Sequence, residues 1–481
     1  MKLAAHRSLT LFLAAIALLA AIPLGSAVGA EARPNVLMFA VDDLRPEIDT
    51  YGVDRMVTPH LDRLAERGVR FDRAYCNIAV CGASRASLMS GLRPTPWRFT
   101  SYSTRKDKDA PEAPSLPMTF KQAGYTTISN GKVYHHRTDD RTAWSQEPWR
   151  PETSSIWWAK PENRQGPGRG PAYESADEPD SIYPDFQIAQ KTIEDLRGLA
   201  ERDEPFFLAC GFYRPHLPFV APKRYWDLYP PDEVTLPENM YFPRDLDNAF
   251  AYSWGEMRKY RGVPAKGPVS DEMARELIRG YHACVSLVDA QVGRVMEELE
   301  RLGLAENTVV VLWGDHGWQL GEHAMWCKHT NFEVAVRTPL LIAAPGAKTR
   351  GTTPRLVEYV DLYPTLCDLA GLDQPGHVQG RSLVPLLADL DAPHKDAVFS
   401  RHGGGDSIKT DRYRYTEMRA GRGKGALRGT ALFDHQKDPD ENQCVVDDLE
   451  YADVVAELKA QLDALRTGWQ DSQPAQPPGE G

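Results

Sequence analysis

Three stretches of the chain carry almost no polar interruption: residues 35–41 (Asn35-Val36-Leu37-Met38-Phe39-Ala40-Val41), 205–210 and 307–313. A strand with one wet face alternates polar and apolar residues, whereas a strand covered on both faces does not. These runs therefore predict central strands of a parallel sheet. Residues 124–129 predict a further strand. Between the strands lie helical patterns. Thr58-Pro59-His60-Leu61-Asp62-Arg63-Leu64-Ala65 predicts a helix with Thr58 as N-cap and Pro59 at its first position. Apolar spacing over 271–302 predicts a long one. Strands alternating with helices predict an α/β fold with a doubly wound, mostly parallel sheet. Past about residue 388 the pattern changes to short strand candidates at 397–400, 407–409, 413–415 and 431–433, separated by Gly-rich turns and followed by a helix over 452–465. The expected organisation is a main domain over 31–388, a smaller C-terminal α+β domain with an antiparallel sheet over 389–470, and a disordered tail over 471–481. Residues 141–190, rich in Pro, Trp, Gly and charge, predict a long surface excursion at the mouth of a site.

Composition changes this picture at two points. The 481 residues are too many for one ordinary core, in keeping with two domains. A net charge of −11 argues against nucleic acid as a partner, while leaving room for a local basic pocket around one anion. At the N-terminus, Lys2, His6 and Arg7 precede an apolar run over 11–19, and Val28-Gly29-Ala30 offers a cleavage site before Glu31. This predicts a signal peptide over 1–30 and an exported, periplasmic or secreted protein with no membrane attachment after cleavage. The rival reading is an N-terminal anchor, disfavoured by the short apolar run and by Pro23 and Gly25. None of the seven cysteines has CxxC spacing, so zinc is not expected. Disulfides are permitted by export but not required at this size.

Candidate chemistry gathers at the ends of the predicted strands, where sites form in open α/β sheets. Asp42 and Asp43 end the first run. Two adjacent carboxylates repel unless a cation lies between them, which implies a hard divalent ion. Asp315 and His316 end another run and can complete its shell. Oxygen-rich ligation favours Ca²⁺ over Zn²⁺, with Mg²⁺ as the alternative. Lys132 and His135 follow the strand at 124–129, three residues apart, with His136 beside them. His216 lies between Pro215 and Leu217-Pro218, which predicts an extended, rigid loop suited to a positioned proton donor. Lys328 can supply positive charge to an anion, and His323 and His329 read as loop residues. In Cys81-Gly82-Ala83-Ser84-Arg85, Arg85 falls one helical turn after Cys81, and a helix starting near Ser84 would aim N–H groups at an anion. Each motif alone reads equally well as a turn, a cap or a buried thiol.

As a set, these strings resemble the type I sulfatases of the alkaline phosphatase-like superfamily, most closely the iduronate-2-sulfatase branch. The matching strings are Val41-Asp42-Asp43-Leu44-Arg45-Pro46, Cys81 to Arg85, Gly131-Lys132-Val133-Tyr134-His135, Pro215-His216-Leu217-Pro218-Phe219 and Asp315-His316-Gly317-Trp318. The resemblance covers about residues 34–375, with 411–415 and 433–442 beyond. It implies that a maturase oxidises Cys81 to formylglycine, although Ala83 stands where the best-known motif has proline. It implies one Ca²⁺ held by Asp42, Asp43, the modified Cys81, Asp315 and His316. It also implies catalytic roles for Cys81, Arg85, Lys132, His135, His216 and Lys328, and substrate contacts from Lys132, His216, Lys328 and Trp318. In that scheme Arg85 orients the hydrated aldehyde, His216 protonates the leaving oxygen and His135 takes a proton before sulfate departs. The implied function is hydrolysis of sulfate esters on a sulfated sugar or glycosaminoglycan-like polysaccharide. Residues 95–100 differ from the iduronate branch, which widens the substrate to other sulfated polysaccharides. The rival functions are a phosphodiesterase or phosphonate hydrolase of the same superfamily, and a non-catalytic glycan-binding protein with Cys81 unconverted.

Overall fold

The unbroken apolar runs lie side by side. A computed structural model of the protein describes residues 33–347 and 349–469; the expected signal peptide and the 471–481 tail lie outside these residues. One eight-stranded sheet contains β1 (Asn35–Asp42), β2 (Val69–Tyr75), β3 (Thr126–Gly131), β4 (Phe206–Pro215), β5 (Thr308–Gly314), β6 (Arg337–Thr338), β7 (Leu340–Ala343) and β8 (Gly351–Glu358). Strands β5, β1, β4 and β3 are consecutive neighbours, all parallel. Only β6 and β7 run antiparallel to their neighbours, and β8 lies parallel to β2 at the far side.

Every residue of β1 is buried because the sheet is covered on both faces. Leu37, Phe39 and Val41 enter one core with Ile188 and Leu196 of α3 (Pro184–Leu199) and Leu277, Val285 and Val292 of α4 (Asp271–Arg301). Val36, Met38 and Ala40 enter the other, with Leu88 and Met89 of α2 (Cys81–Ser90). The period-two alternation of a strand is present, but both phases are apolar.

The expected doubly wound α/β sheet is thus the observed one, with differences in detail. Strand β4 continues to Pro215, five residues past the apolar run, and carries the chain to His216. Strands β2, β6, β7 and β8 were not evident in the sequence. Arg, Asp, Thr and Pro interrupt β2 and β8, and β6 and β7 are too short to show a period. The excursion ends at the start of α3, and two of its short segments pair with later chain: Arg169–Pro171 with Tyr260–Arg261, and Tyr173–Ala176 with Phe219–Pro222.

C-terminal strands β9 (Ala397–His402), β10 (Gly405–Thr410), β11 (Tyr413–Arg419) and β12 (Leu427–Asp434) form an antiparallel meander. Helix α5 (Ala452–Thr467) packs on it through Leu458 and Leu462. From Pro34 onward the chain is one compact unit. Buried Arg414 of β11 fastens the meander to the main sheet by pairing with Glu333, just before β6, and pairs at 2.7 Å with Glu441, beyond β12. All seven cysteines are buried and unpaired. Among the described residues, no helix is long and apolar enough to cross a membrane.

Helix α1 (Pro59–Arg67) is capped in a way its own sequence does not show. Thr58 occupies the N-cap position, but its hydroxyl accepts from the Asp49 N–H instead. The open N–H groups of His60 and Leu61 go to Asp289 of α4, at 3.0 and 2.8 Å. Burial pushes the Asp289 carboxyl up to about 8. An acid whose folded pKa exceeds its unfolded value keeps its proton longer when folded. Its contribution to stability therefore falls as pH rises from about 4 towards that value. Asp289→Ala should lose both acceptor contacts and cost about 1–2 kcal/mol. Asp289→Asn keeps an oxygen acceptor and should flatten the pH dependence of stability between those limits. Denaturant unfolding of the three proteins at several pH values measures both effects, and parallel curves for wild type and Asp289→Asn would contradict them.

Candidate active site

Because β5, β1, β4 and β3 are parallel and adjacent, their carboxyl ends deliver Asp315-His316, Asp42-Asp43, His216 and Lys132 to one edge of the sheet. Close backbone approach makes this possible at β3 and β4. Gly131 has φ +73°, and a Cβ there would meet the Gly211 carbonyl at 2.1 Å; a Cβ on Gly211 would meet the Lys132 carbonyl carbon at 2.2 Å. Two side-chain-free positions let Lys132 turn over the end of β4. Asp43 adopts φ +62°, a left-handed conformation that Asp tolerates better than most residues. Helix α2 brings the last part. It begins at Cys81 rather than at Ser84, so its first N–H groups belong to Cys81 and the residues just after it.

Asp42, Asp43 and Asp315 are wholly buried. Arg85, also wholly buried, lies among them: Nε donates to Asp315 Oδ2 at 2.8 Å and Nη2 to Asp42 Oδ1 at 3.2 Å. Its Nη1 donates to the carbonyls of Lys132 and Val133. Lys132 donates to Asp42, and Lys328 donates to both Asp43 oxygens at 3.1 Å. Three carboxylates thus meet three cations. Burial works against the charge on Asp42, but Lys132, His216 and Arg85 hold it well below the usual carboxylate range. Burial dominates at Asp43 and raises it, against the pull of Lys328.

The donor set fits a hard divalent ion. His316 Nδ1 faces the Gly317 carbonyl at 3.0 Å, so its Nε2 turns inward, 3.4 Å from Asp43 Oδ1, 3.5 Å from Asp315 Oδ1 and 3.3 Å from Cys81 Sγ. Asp42, Cys81, Asp315 and His316 place ligand atoms within 4.8 Å of one another, as do Asp42, Asp43, Cys81 and His216. Three carboxylates and one imidazole suit an oxygen-seeking ion better than zinc.

Above this cluster opens a cavity of about 780 Å³ whose lining includes Cys81, Lys132, His135, His216 and Lys328. His216 is held at both nitrogens: Nδ1 faces the Leu217 carbonyl and Nε2 lies 3.1 Å from Glu256. Both ring nitrogens thus face acceptors, which fixes the orientation of the ring. The expected extended loop is instead a compact reversal, closed by the His216 N–H on the Tyr213 carbonyl at 3.0 Å. His135 has the opposite character. Burial and Lys132 push it down to about 2, so it is a neutral imidazole, and its Nδ1 is buried without a partner among the described residues.

Arg85 does not line the cavity; its donors go to two carboxylates and two carbonyls. Trp318, expected against substrate, is wholly buried beneath Lys328, whose Nζ lies 4.8 Å above its ring. Of the loop histidines, His323 donates from Nε2 to the Asp440 carbonyl, and His329 reaches the cavity wall. Glu256 was not evident in the sequence. It bridges His216 and Lys328, at 3.1 and 2.9 Å. It stands in an irregular segment with no strand or motif to mark it, and only the fold brings it to the catalytic edge.

A sequence model of the sulfatase family matches residues 34–372, and one described as N-sulphoglucosamine sulphohydrolase, C-terminal, matches 321–468. Iduronate 2-sulfatase of Mus musculus is 34% identical over 383 residues, 71% of this chain and 69% of that protein. A sulfatase of Formosa agariphila is 30% identical over 460 residues, 91% of this chain and 88% of that protein. Among solved structures, a protein in complex with its substrate D-glucosamine-2-N,6-O-disulfate has a TM-score of 0.71 at 23% identity, covering 92% of this chain and 99% of that one. A phosphonate monoester hydrolase from Silicibacter pomeroyi has a TM-score of 0.73 at 24% identity, covering 90% and 95%. These two likenesses establish a common fold. The family match extends over the strands, the helix and the loops that build the site, and the chain belongs to the sulfatase family.

Proposed function

We propose that the protein hydrolyses sulfate esters on a sulfated sugar, with position 81 as the nucleophile. The observation that carries this reading is the placement of Cys81. It stands at the head of α2, at the floor of the cavity, with Lys132 and Lys328 beside it and His135 and His216 on the same lining. Formylglycine at this position, hydrated, supplies one hydroxyl to attack sulfur and a second to expel sulfate. Asp42, Asp43, Asp315 and His316 would hold a calcium ion, which when bound would supply positive charge to the sulfate. The chain's own groups do the rest. Lys132 and Lys328 are fixed by Asp42 and Asp43 before substrate arrives, so their charge acts on the sulfate without reorganisation. His216 donates a proton to the departing sugar oxygen, and Glu256 keeps its ring oriented. His135, neutral and with a free nitrogen, accepts a proton on the opposite course. Sulfated sugars are named as substrates of several similar proteins, including iduronate 2-sulfatase and a Δ4,5-hexuronate-2-O-sulfatase. Export with cleavage at residue 30, and maturation by a formylglycine-generating enzyme, belong to the same reading.

The decisive test compares nitrophenyl sulfate with a nitrophenyl phosphate diester and a phenyl phosphonate ester, using enzyme from a host that performs the maturation. Preference for the sulfate is expected. The Cys81 peptide should be lighter than the encoded one by about 18 Da, the change from thiol to aldehyde. An unmodified peptide in active enzyme, or preference for either phosphorus ester, would overturn the proposal.

Division of labour between the histidines gives a second expectation. Nitrophenolate leaves without a proton and a sugar alcohol does not. His216→Ala should therefore cost about 10²–10⁴ in kcat on a sulfated sugar and far less on nitrophenyl sulfate. Equal losses on both would remove His216 from the role of acid.

Metal removal gives a third. Chelation should abolish turnover and lower Tm, and Ca²⁺ should restore both. Asp315→Asn should show neither the loss nor the recovery, having lost a ligand and a partner of Arg85. Elemental analysis finding zinc without calcium would contradict the assignment.

A further inference from the structure

Six cationic side chains line the cavity: Lys132, Arg137, Arg150, Arg169, Lys259 and Lys328. Lys132 and Lys328 are paired with Asp42 and Asp43 and serve the sulfate being cut. Among the described residues the other four form no ion pair with a carboxylate. For a chain of net charge −11, unmatched positive charge around one cavity marks the chemistry of what enters it. Two of the four have a structural occupation. Arg150 donates to the carbonyls of Gly131, Tyr134 and His135, and Arg137 to that of Pro148. Arg169 and Lys259 remain.

These two stand on paired segments. Arg169 is in register with Tyr260, the residue after Lys259. Arg169 Nη1 donates to the Tyr260 hydroxyl at 3.0 Å, and its guanidinium lies 5.0 Å over the Tyr260 ring. The group is therefore held before any ligand binds, which reduces the entropy lost on binding. Lys259 ends the same short turn that follows Glu256, and Glu256 holds His216 and Lys328. One chain segment thus ties the sulfate end of the cavity to the Arg169–Lys259 wall. Of the two acids on the lining, Glu256 is engaged there and Glu152 is exposed and paired with neither cation.

We propose that Arg169 and Lys259 form a second anion subsite. The substrate then carries, besides the ester that is cut, a further anionic group on the same or the adjoining sugar: a carboxylate or another sulfate. This rests on the reading of the protein as a sugar sulfatase. The shared chemistry is a planar or tetrahedral oxyanion met by a guanidinium fork and an ammonium.

Calorimetry on the full chain tests it with three forms of one uronate–glucosamine disaccharide: mono-sulfated with the carboxyl reduced to an alcohol, mono-sulfated with the carboxylate intact, and tri-sulfated with the carboxyl reduced. Wild type should bind at least one of the two more highly charged forms about tenfold tighter than the first. Which one does so identifies the anion. The advantage should shrink in Lys259→Ala and vanish in Arg169→Ala/Lys259→Ala, and should weaken with salt in wild type. Lys259 is exposed, so its variant leaves the fold intact, and melting curves verify this for the double variant. Equal affinity of wild type for all three forms, or an advantage that survives the double substitution, would overturn the subsite. Turnover of nitrophenyl sulfate by wild type is measured alongside. Failure there speaks against the sulfatase reading, while the affinities still decide whether the subsite exists.

Discussion

Three carboxylates buried at the ends of two neighbouring strands are the constraint to which the rest of the site answers. At an effective dielectric constant of about 20, a like-charged pair 4 Å apart costs on the order of 4 kcal/mol. Asp42, Asp43 and Asp315 have no water to spread that cost. Arg85 resolves it from inside α2 by pairing with Asp42 and Asp315 and by closing on the carbonyls of Lys132 and Val133. That one guanidinium joins the ends of β1, β3 and β5. Removing one member of a buried pair leaves an unmatched charge, typically at about 3–5 kcal/mol. The spacing of the Cys81–Arg85 motif follows from this. Residues four apart share a helix face, so fixing Arg85 among the carboxylates also fixes Cys81 beside them, 3.3 Å from His316 Nε2.

The parts of this arrangement that could be read in the sequence are those with a local physical signature. A strand covered on both faces has to be apolar throughout, so β1, the first half of β4 and β5 were visible, and with them the position of Asp42, Asp43, Asp315 and His316 at strand ends. Helix α4 showed its period over eight turns. What escaped depends on distant partners. Asp289 caps α1 across 228 residues of sequence, and Thr58 looked sufficient for that duty. Glu256 has meaning only beside His216 and Lys328. Trp318 lies two residues after His316 in sequence, yet its ring enters the core, where it supports Lys328 from below. In each case the residue type was legible and its neighbour was not.

Glu256 divides the site into two halves. On the inner side, Asp42, Asp43, Asp315 and His316 form the acidic floor that suits a divalent ion. On the outer side, Glu256 fixes the His216 imidazole and the Lys328 ammonium at the cavity, Lys328 being shared between Asp43 and Glu256. Burial works against each charge, but Lys328 and His216 hold Glu256 well below the ordinary carboxylate range. The charge at the cavity is therefore set by partners already in place, as preorganised electrostatic stabilisation requires.

The frame and the walls come from different parts of the chain, and this separates chemistry from selectivity. The sheet and its edge belong to a fold shared with a phosphonate monoester hydrolase, at a TM-score of 0.73. The cavity walls instead come from the excursion and from the irregular chain around Tyr252, Glu256 and Lys259. They pair through short two-residue and three-residue strands at the periphery. Loops on a rigid scaffold change composition without disturbing the core. A substitution at Arg169 or Lys259 touches no residue of the main sheet, whereas one at Arg85 or Asp315 disturbs three strand ends at once. The acidic floor answers to the energetics of burial, whereas Arg169 and Lys259 stand on peripheral segments whose charge no carboxylate of the described residues pairs.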